Sequence, residues 1–147
     1  MVVARNRKAR HELRILSTVE AGIMLTGTEV KALRARLASL DQAWATVERG
    51  EAWLIDVNIG EYGAASWTNH APRRRRKLLL HKRELVELES ELSEGRTLVP
   101  LEIRFGERGF AKVLLGLGEG QQQHDRRETL RKRESDKEMR RAMARRR

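Results

Sequence analysis

No cysteine occurs among the 147 residues, so disulfide scaffolds, thiolate zinc sites and cysteine nucleophiles are all excluded. Aromatic residues make up only 4% of the chain, too few for a broad base-stacking platform. Apolar runs such as Leu78–Leu80 and Val113–Leu115 are short and 35% of residues are charged, so no membrane span or signal-peptide core is expected. The expected compartment is the cytoplasm. The four histidines, His11, His70, His81 and His124, form no metal-ligand spacing, and no serine sits in a Gly-x-Ser-x-Gly elbow. Neither metal, cofactor nor catalytic activity is therefore expected. Gly116-Leu-Gly118-Glu-Gly120 lacks the Lys-Ser/Thr ending of a phosphate loop and reads as a flexible exit from the last strand.

What the sequence has instead is positive charge. There are 31 Lys plus Arg against 21 Asp plus Glu, a net of +10, which predicts a polyanionic partner, with nucleic acid first. The charge is uneven: residues 121–147 hold eleven basic and five acidic residues, a net of +6. Their few apolar side chains, Leu130, Met139 and Met143 among them, cannot offset the entropy of ordering the chain, so this tail is expected to be disordered when free. Residues 1–120 form the expected core domain.

Within that core, short apolar segments alternate with glycine punctuation, the pattern of strands. Residues 13–19 and 22–26 read as a hairpin turning at Glu20-Ala21. Residues 43–48 and 51–57 read as a second, with Trp44 and Trp53 on a common core face, and 97–105 with 110–117 as a third. Val30, Leu33 and Leu37 mark a helix over 28–37 capped by Thr28, and Leu85, Leu88 and Leu92 mark another over 83–94, ended by Gly95. Residues 58–72 read as a long loop. Together these predict a mainly β fold: a small antiparallel barrel of the oligonucleotide-binding type with two or three short helices.

Two basic clusters stand out. Arg5-Asn6-Arg7-Lys8-Ala9-Arg10-His11 is read as an extended segment able to follow a phosphate backbone, and Arg73–Lys77 as a basic loop pinned by the leucines after it. Alongside them, five strings occur in one order: 6–11, Glu20-Ala21-Gly22, 25–34 (Leu-Thr-Gly-Thr-Glu-Val-Lys-Ala-Leu-Arg), 76–84 (Arg-Lys-Leu-Leu-Leu-His-Lys-Arg-Glu) and His124-Asp125-Arg126-Arg127-Glu128. In these strings the chain closely resembles the small protein B family, the SsrA-binding proteins that partner transfer-messenger RNA (tmRNA).

The resemblance implies a non-enzymatic, monomeric adaptor of trans-translation. Its barrel grips the tRNA-like domain of tmRNA, its tail enters the empty mRNA channel of a stalled ribosome, and EF-Tu takes part indirectly through alanyl-tmRNA. Carried over by position, the RNA-binding candidates are Asn6, Arg7, Lys8, Arg10, His11, Glu20, Lys31, Lys77, Leu79 and Lys112. The ribosome-binding candidates in the tail are His124, Asp125, Arg126 and Arg127. Cations suit phosphate, and Asn6 and His11 suit sugar or base edges. On the RNA side Glu20 is expected either to accept from bases or to hold a neighbouring arginine, with a purely structural role equally open, and Leu79 is expected rather to fill the core than to pack against RNA. Two departures from the family pattern are Leu13, where an aromatic is usual, and the lysine-free junction Gly118–Gln123. The alternatives are a ribosomal protein or general RNA chaperone with the same barrel, and a small nuclease using His11 and His81.

Overall fold

The computed structural model describes residues 1–63 and 69–120; His124, Asp125, Arg126, Arg127 and the rest of the expected tail lie outside the described residues. The chain opens with β1 (Val2–Arg5) and α1 (Arg7–Glu12), then β2 (Leu13–Ile23) and α2 (Gly27–Arg34). It continues through β3 (Ala38–Ser39), the hairpin β4 (Trp44–Glu48) and β5 (Glu51–Ile55), and β6 (Asn58–Ile59). β7 (Arg76–Leu79), α3 (Lys82–Ser93), β8 (Thr97–Phe105) and β9 (Ala111–Gly120) complete the fold.

Seven strands form one antiparallel sheet in the order β1-β8-β4-β5-β7-β2-β9, and a further β8–β9 pairing closes it on itself. β3 and β6 pair separately. The expected small antiparallel barrel with three helices is what forms. Its interior is filled by alternate strand residues, including Leu54, Leu78, Leu98, Ile103 and Leu115, with Leu33 of α2 and Leu88 of α3 closing against them.

Both long helices follow their apolar periodicity, with adjusted ends. Thr26, not Thr28, caps α2: its hydroxyl accepts from the Glu29 amide at 3.4 Å and the Glu29 carboxylate accepts from the Thr26 amide at 2.9 Å. The helix stops at Arg34 because Arg36 turns left-handed at φ 60°, and the Leu37 amide then donates back to the Ala32 carbonyl at 2.9 Å. Leu37 is thereby left exposed rather than on the buried stripe.

The sequence reading needs correction at five places. First, β2 is one uninterrupted strand of 11 residues, with no turn at Glu20-Ala21. Those two residues pair with Leu114 and Val113 of β9, and Ala21 is buried; neither residue brings turn chemistry. Second, residues 7–11 are helical rather than extended, since Asn6 caps α1, and Ala9 is buried. Third, Gly116–Gly120 is no flexible exit but the end of β9. A Cβ on Gly116 would sit 2.9 Å from Leu101 Cδ1, and one on Gly118 2.8 Å from the Arg14 carbonyl oxygen, so glycine lets the strands approach. Fourth, Trp44 and Trp53 share a face, because Thr46 pairs with Trp53, but it is the outer face; Ala45, Ala52 and Leu54 point inward. Fifth, the loop read over 58–72 begins with the β6 pairing, and β7 follows it at Arg76.

Candidate nucleic-acid interface

β2 crosses the barrel between β7 and β9, and its register brings distant residues into one row. Gly22 pairs with Leu79 on one side and with Lys112 on the other, and Lys112 in turn pairs with Arg104 of β8. Residues opposite one another in antiparallel strands point to the same face, so Arg104, Lys112, Gly22 and Leu79 line up across four strands on the outside of the barrel. Leu79 is 52% exposed, which corrects the expectation that it fills the core. It leans over Gly22, where a Cβ would lie 3.2 Å from the Leu79 Cβ. Glycine therefore leaves an open cleft, lined by Glu20, Gly22, Leu79, His81 and Lys112 among others.

Glu20 stands two residues from Gly22 on the same face and reaches across the row. One carboxylate oxygen takes an ion pair from Lys112 Nζ at 3.2 Å, and the other accepts from the Arg104 guanidinium. The Arg104 and Lys112 hydrogen bonds hold the Glu20 carboxyl below the usual carboxylate range, against the opposing effect of desolvation. Glu20 thus fixes two exposed cations beside an exposed leucine. Of the two roles the sequence left open for it, the geometry supplies the arginine-holding one.

Lys31 lies on the exposed side of α2 with its ammonium 5.9 Å from the Tyr62 ring centroid. One turn on, the Arg34 guanidinium stacks 4.4 Å over Phe105, the residue after Arg104. Lys77 sits on β7 two residues before Leu79 and pairs with Glu51 at 3.3 Å. Arg75 pairs with Glu48 at 2.9 Å and lies over the Trp53 ring at 5.2 Å. The basic loop read at Arg73–Lys77 is therefore partly occupied inside the protein.

Its fourth member is wholly so. Arg76 is fully buried, donating to the Glu29 carboxylate and, through Nη1, to the Val57 carbonyl at 2.9 Å. Glu29 is also fully buried and accepts a second time from Arg74, whose Nε lies 3.1 Å from each carboxylate oxygen. Burial alone would raise the Glu29 pKa, but the hydrogen bonds from Arg74, the Thr26 amide and Arg76 outweigh it and lower it. Burial likewise lowers the Arg76 pKa. Beside this cluster, His70 Nδ1 lies 2.9 Å from the Thr28 hydroxyl and Nε2 2.8 Å from the Ile59 carbonyl. The carbonyl takes the Nε2 proton, leaving Nδ1 to accept from Thr28. The cluster ties α2 to the segment leading into β7.

The α1 candidates form a second group. Arg7, Lys8, Arg10 and His11 are exposed, with Lys8 3.7 Å from Glu12. Asn6 is different: it is buried, its Nδ2 donates to the Leu40 and Pro100 carbonyls, each at 3.0 Å, and its Oδ1 accepts from the Ala9 amide at 3.0 Å. Both amide protons are spent within the protein, and Asn6 caps the helix that carries the exposed cations of α1. This group flanks Leu13, at the opposite end of β2 from Gly22, about 30 Å away at most by strand rise. Gly120, from which the tail departs, pairs with Leu13 at that same end.

The sequence reading missed Arg104, Arg34 and Gly22. Arg104 carried a signal, because the turn at Gly106–Gly109 sets a hairpin register that places it opposite Lys112. Among the described residues no cluster of His, Asp or Glu is arranged to hold a metal ion.

The model of the SmpB protein family matches residues 3–145. The SsrA-binding protein of Mycolicibacterium smegmatis is 53% identical over 146 residues, covering 99% of this chain and 90% of that protein. That of Leifsonia xyli is 52% identical over 144 residues, covering 97% and 90%. A solved chain from work described as "tmRNA-SmpB: a journey to the center of the bacterial ribosome" is 52% identical, superposes with a TM-score of 0.69, and is matched over 80% of this chain and 82% of its own. With the match running almost end to end, the chain belongs to the SmpB family of SsrA-binding proteins.

Proposed function

We propose that this protein is the RNA-binding adaptor of trans-translation: it binds the tRNA-like domain of tmRNA and delivers it to stalled ribosomes, so that the stalled chain is tagged and the ribosome released. The observation that carries the assignment is the convergence of Glu20 and Leu79, from two separate strings of the sequence, with Lys112 on one exposed cleft beside Arg104. Phosphates meet Lys112 and Arg104, whose positions Glu20 fixes, and the exposed Leu79 packs against sugar or base. Arg7, Lys8, Arg10 and His11 on α1, together with Lys31 and Lys77, extend the basic surface, while Asn6 acts through the helix it caps.

The protein acts as a monomer in the cytoplasm and catalyses nothing itself; EF-Tu engages it only through alanyl-tmRNA. The tail, net +6 over residues 121–147, follows the mRNA channel, with His124 stacking on a decoding-centre base, Asp125 at the start of the segment and Arg126 and Arg127 on ribosomal RNA phosphate. No described helix is long and apolar enough to cross a membrane, consistent with this role.

The test is binding of the purified chain to tmRNA and to an ordinary elongator tRNA, side by side at about 150 mM salt, where surface electrostatics are screened. The assignment predicts clear preference for tmRNA; equal and steeply salt-dependent binding contradicts it and leaves a general RNA chaperone. Truncation after Gly120 is expected to spare tmRNA binding and abolish tagging, and a truncated protein that still tags refutes the tail's role.

A further inference from the structure

Lys112 also lines a second cleft, at the tip of the β8–β9 hairpin, where Phe110 is 70% exposed, more than any other large hydrophobic side chain among the described residues. The tip is rigidly built. The Gly106 amide donates to the Phe110 carbonyl at 3.0 Å and the Gly109 amide to the Gly106 carbonyl at 2.9 Å, with Gly109 left-handed at φ 78°. The chain's first residue is pinned beside it: the Met1 ammonium donates to the Phe105 carbonyl at 3.1 Å and the Phe105 amide to the Met1 carbonyl at 2.9 Å. Arg104, Arg108 and Lys112 line the same open cleft as Phe110, with Glu107 the one carboxylate among its lining residues.

A protein that needs only phosphate contacts gains nothing from holding a bare phenyl ring in water on a fixed turn. Every nucleobase has a π-face, and an unpaired base stacks on an exposed ring without sequence selection. Phe110 directly precedes β9 and Lys112 is the second residue of that strand; both line the cleft, a juxtaposition that suits a base on the ring and its phosphate on the ammonium. Three cations around the ring match the charge of a nucleic acid and disfavour an apolar protein partner.

We infer that Phe110 is a stacking platform for an unpaired nucleotide of the bound RNA, so that this end of the barrel reads a loop or bulge rather than a duplex. The inference rests on the adaptor reading and gives it a specificity element: the RNA segment reaching Lys112 is single-stranded there.

The experiment compares the full chain with the variants Phe110→Ala, Phe110→Leu and Phe110→Trp. Each is titrated with the tRNA-like domain of tmRNA and with a blunt-ended, fully base-paired two-stranded RNA duplex of similar size, over a series of salt concentrations. Because the ring is exposed, all variants are expected to melt with the wild type. Phe110→Ala is expected to weaken binding of the tRNA-like domain about 5- to 150-fold, the range for loss of one base–aromatic stack. Phe110→Leu, apolar without a ring, falls nearly as far, and Phe110→Trp restores affinity. Binding to the paired duplex stays unchanged, as does the salt dependence, since no phosphate contact is removed. Undiminished affinity of Phe110→Ala in a wild-type protein that does prefer tmRNA overturns this inference alone. Equal losses on both RNAs, or a shallower salt slope, also overturn it, because they mark a phosphate or structural role. A wild type with no preference for the tRNA-like domain overturns the adaptor reading and this inference together.

Discussion

Two glutamates in this barrel each grip two cations, and their surroundings give the same chemistry opposite uses. Glu29 is sealed between Arg74 and Arg76, with no exposed side-chain surface on Glu29 or Arg76. Glu20 holds Arg104 and Lys112 on the outer face, where roughly half of each cation's side chain meets solvent. A buried ion pair contributes little net stability but is costly to break, because removing one partner strands a desolvated charge. A surface pair contributes about 0–1 kcal/mol and leaves its remaining hydrogen-bonding capacity for a ligand. The inner cluster therefore fixes the fold around α2 and β7, and the outer one displays charge.

The comparison breaks most visibly at Glu29. Glu29→Ala strands Arg76 and is expected to cost about 3–5 kcal/mol, read as a lowered urea midpoint; a loss under about 1 kcal/mol contradicts the assignment. Asn6→Ala removes a cap and strands two buried carbonyls, so about 2–3 kcal/mol is expected from the same measurement, together with weaker RNA binding through a frayed α1.

On the outer face the expected effects shift from stability to binding. Lys112→Ala and Arg104→Ala are each expected to weaken tmRNA binding and to reduce the salt slope by about 1, with melting unchanged. Glu20→Gln should change stability by no more than about 1 kcal/mol, further reduced by salt, yet lower the discrimination between tmRNA and tRNA, because both cations lose their common anchor. If discrimination survives, Glu20 does not position them.

The smallest contrast is in pH. Both carboxyls have folded pKa values below their ordinary 4.5, so each contributes stability that is present above that value and is lost as pH falls through the lower folded one. In acid titrations below about pH 4.5, Glu29→Gln should flatten the loss of stability far more than Glu20→Gln. Equal effects of the two substitutions contradict the contrast in burial.

The sequence revealed those elements whose apolar pattern points inward without interruption. The hairpin β4–β5 alternates around a glycine turn, β8 and β9 are apolar-rich runs either side of another, and α2 and α3 show their stripes. β7 was hidden because its inward residues are Arg76 and Leu78, and a buried arginine breaks the alternation unless its partner Glu29 is known. β1 and α1 were hidden among cations, with Asn6 reading as an RNA contact rather than a cap. The site itself was only half legible. Its residues came from a family resemblance, but their assembly depends on β2 running unbroken through Glu20-Ala21, and a turn there would have separated Glu20 from Gly22 and destroyed the row. The register of β2 against β7 and β9 is a tertiary property that no local pattern encodes.

The most direct test is a map of backbone amide perturbations on titrating the labelled protein with the tRNA-like domain of tmRNA. The account predicts shifts concentrated at Glu20–Gly22, Leu79–His81, Arg104 and Lys112, with the buried Glu29 cluster and the acidic outer side of α3 at Glu87 and Glu89 unchanged. Shifts centred on α3, or none along the Arg104–Lys112–Gly22–Leu79 row, would contradict it.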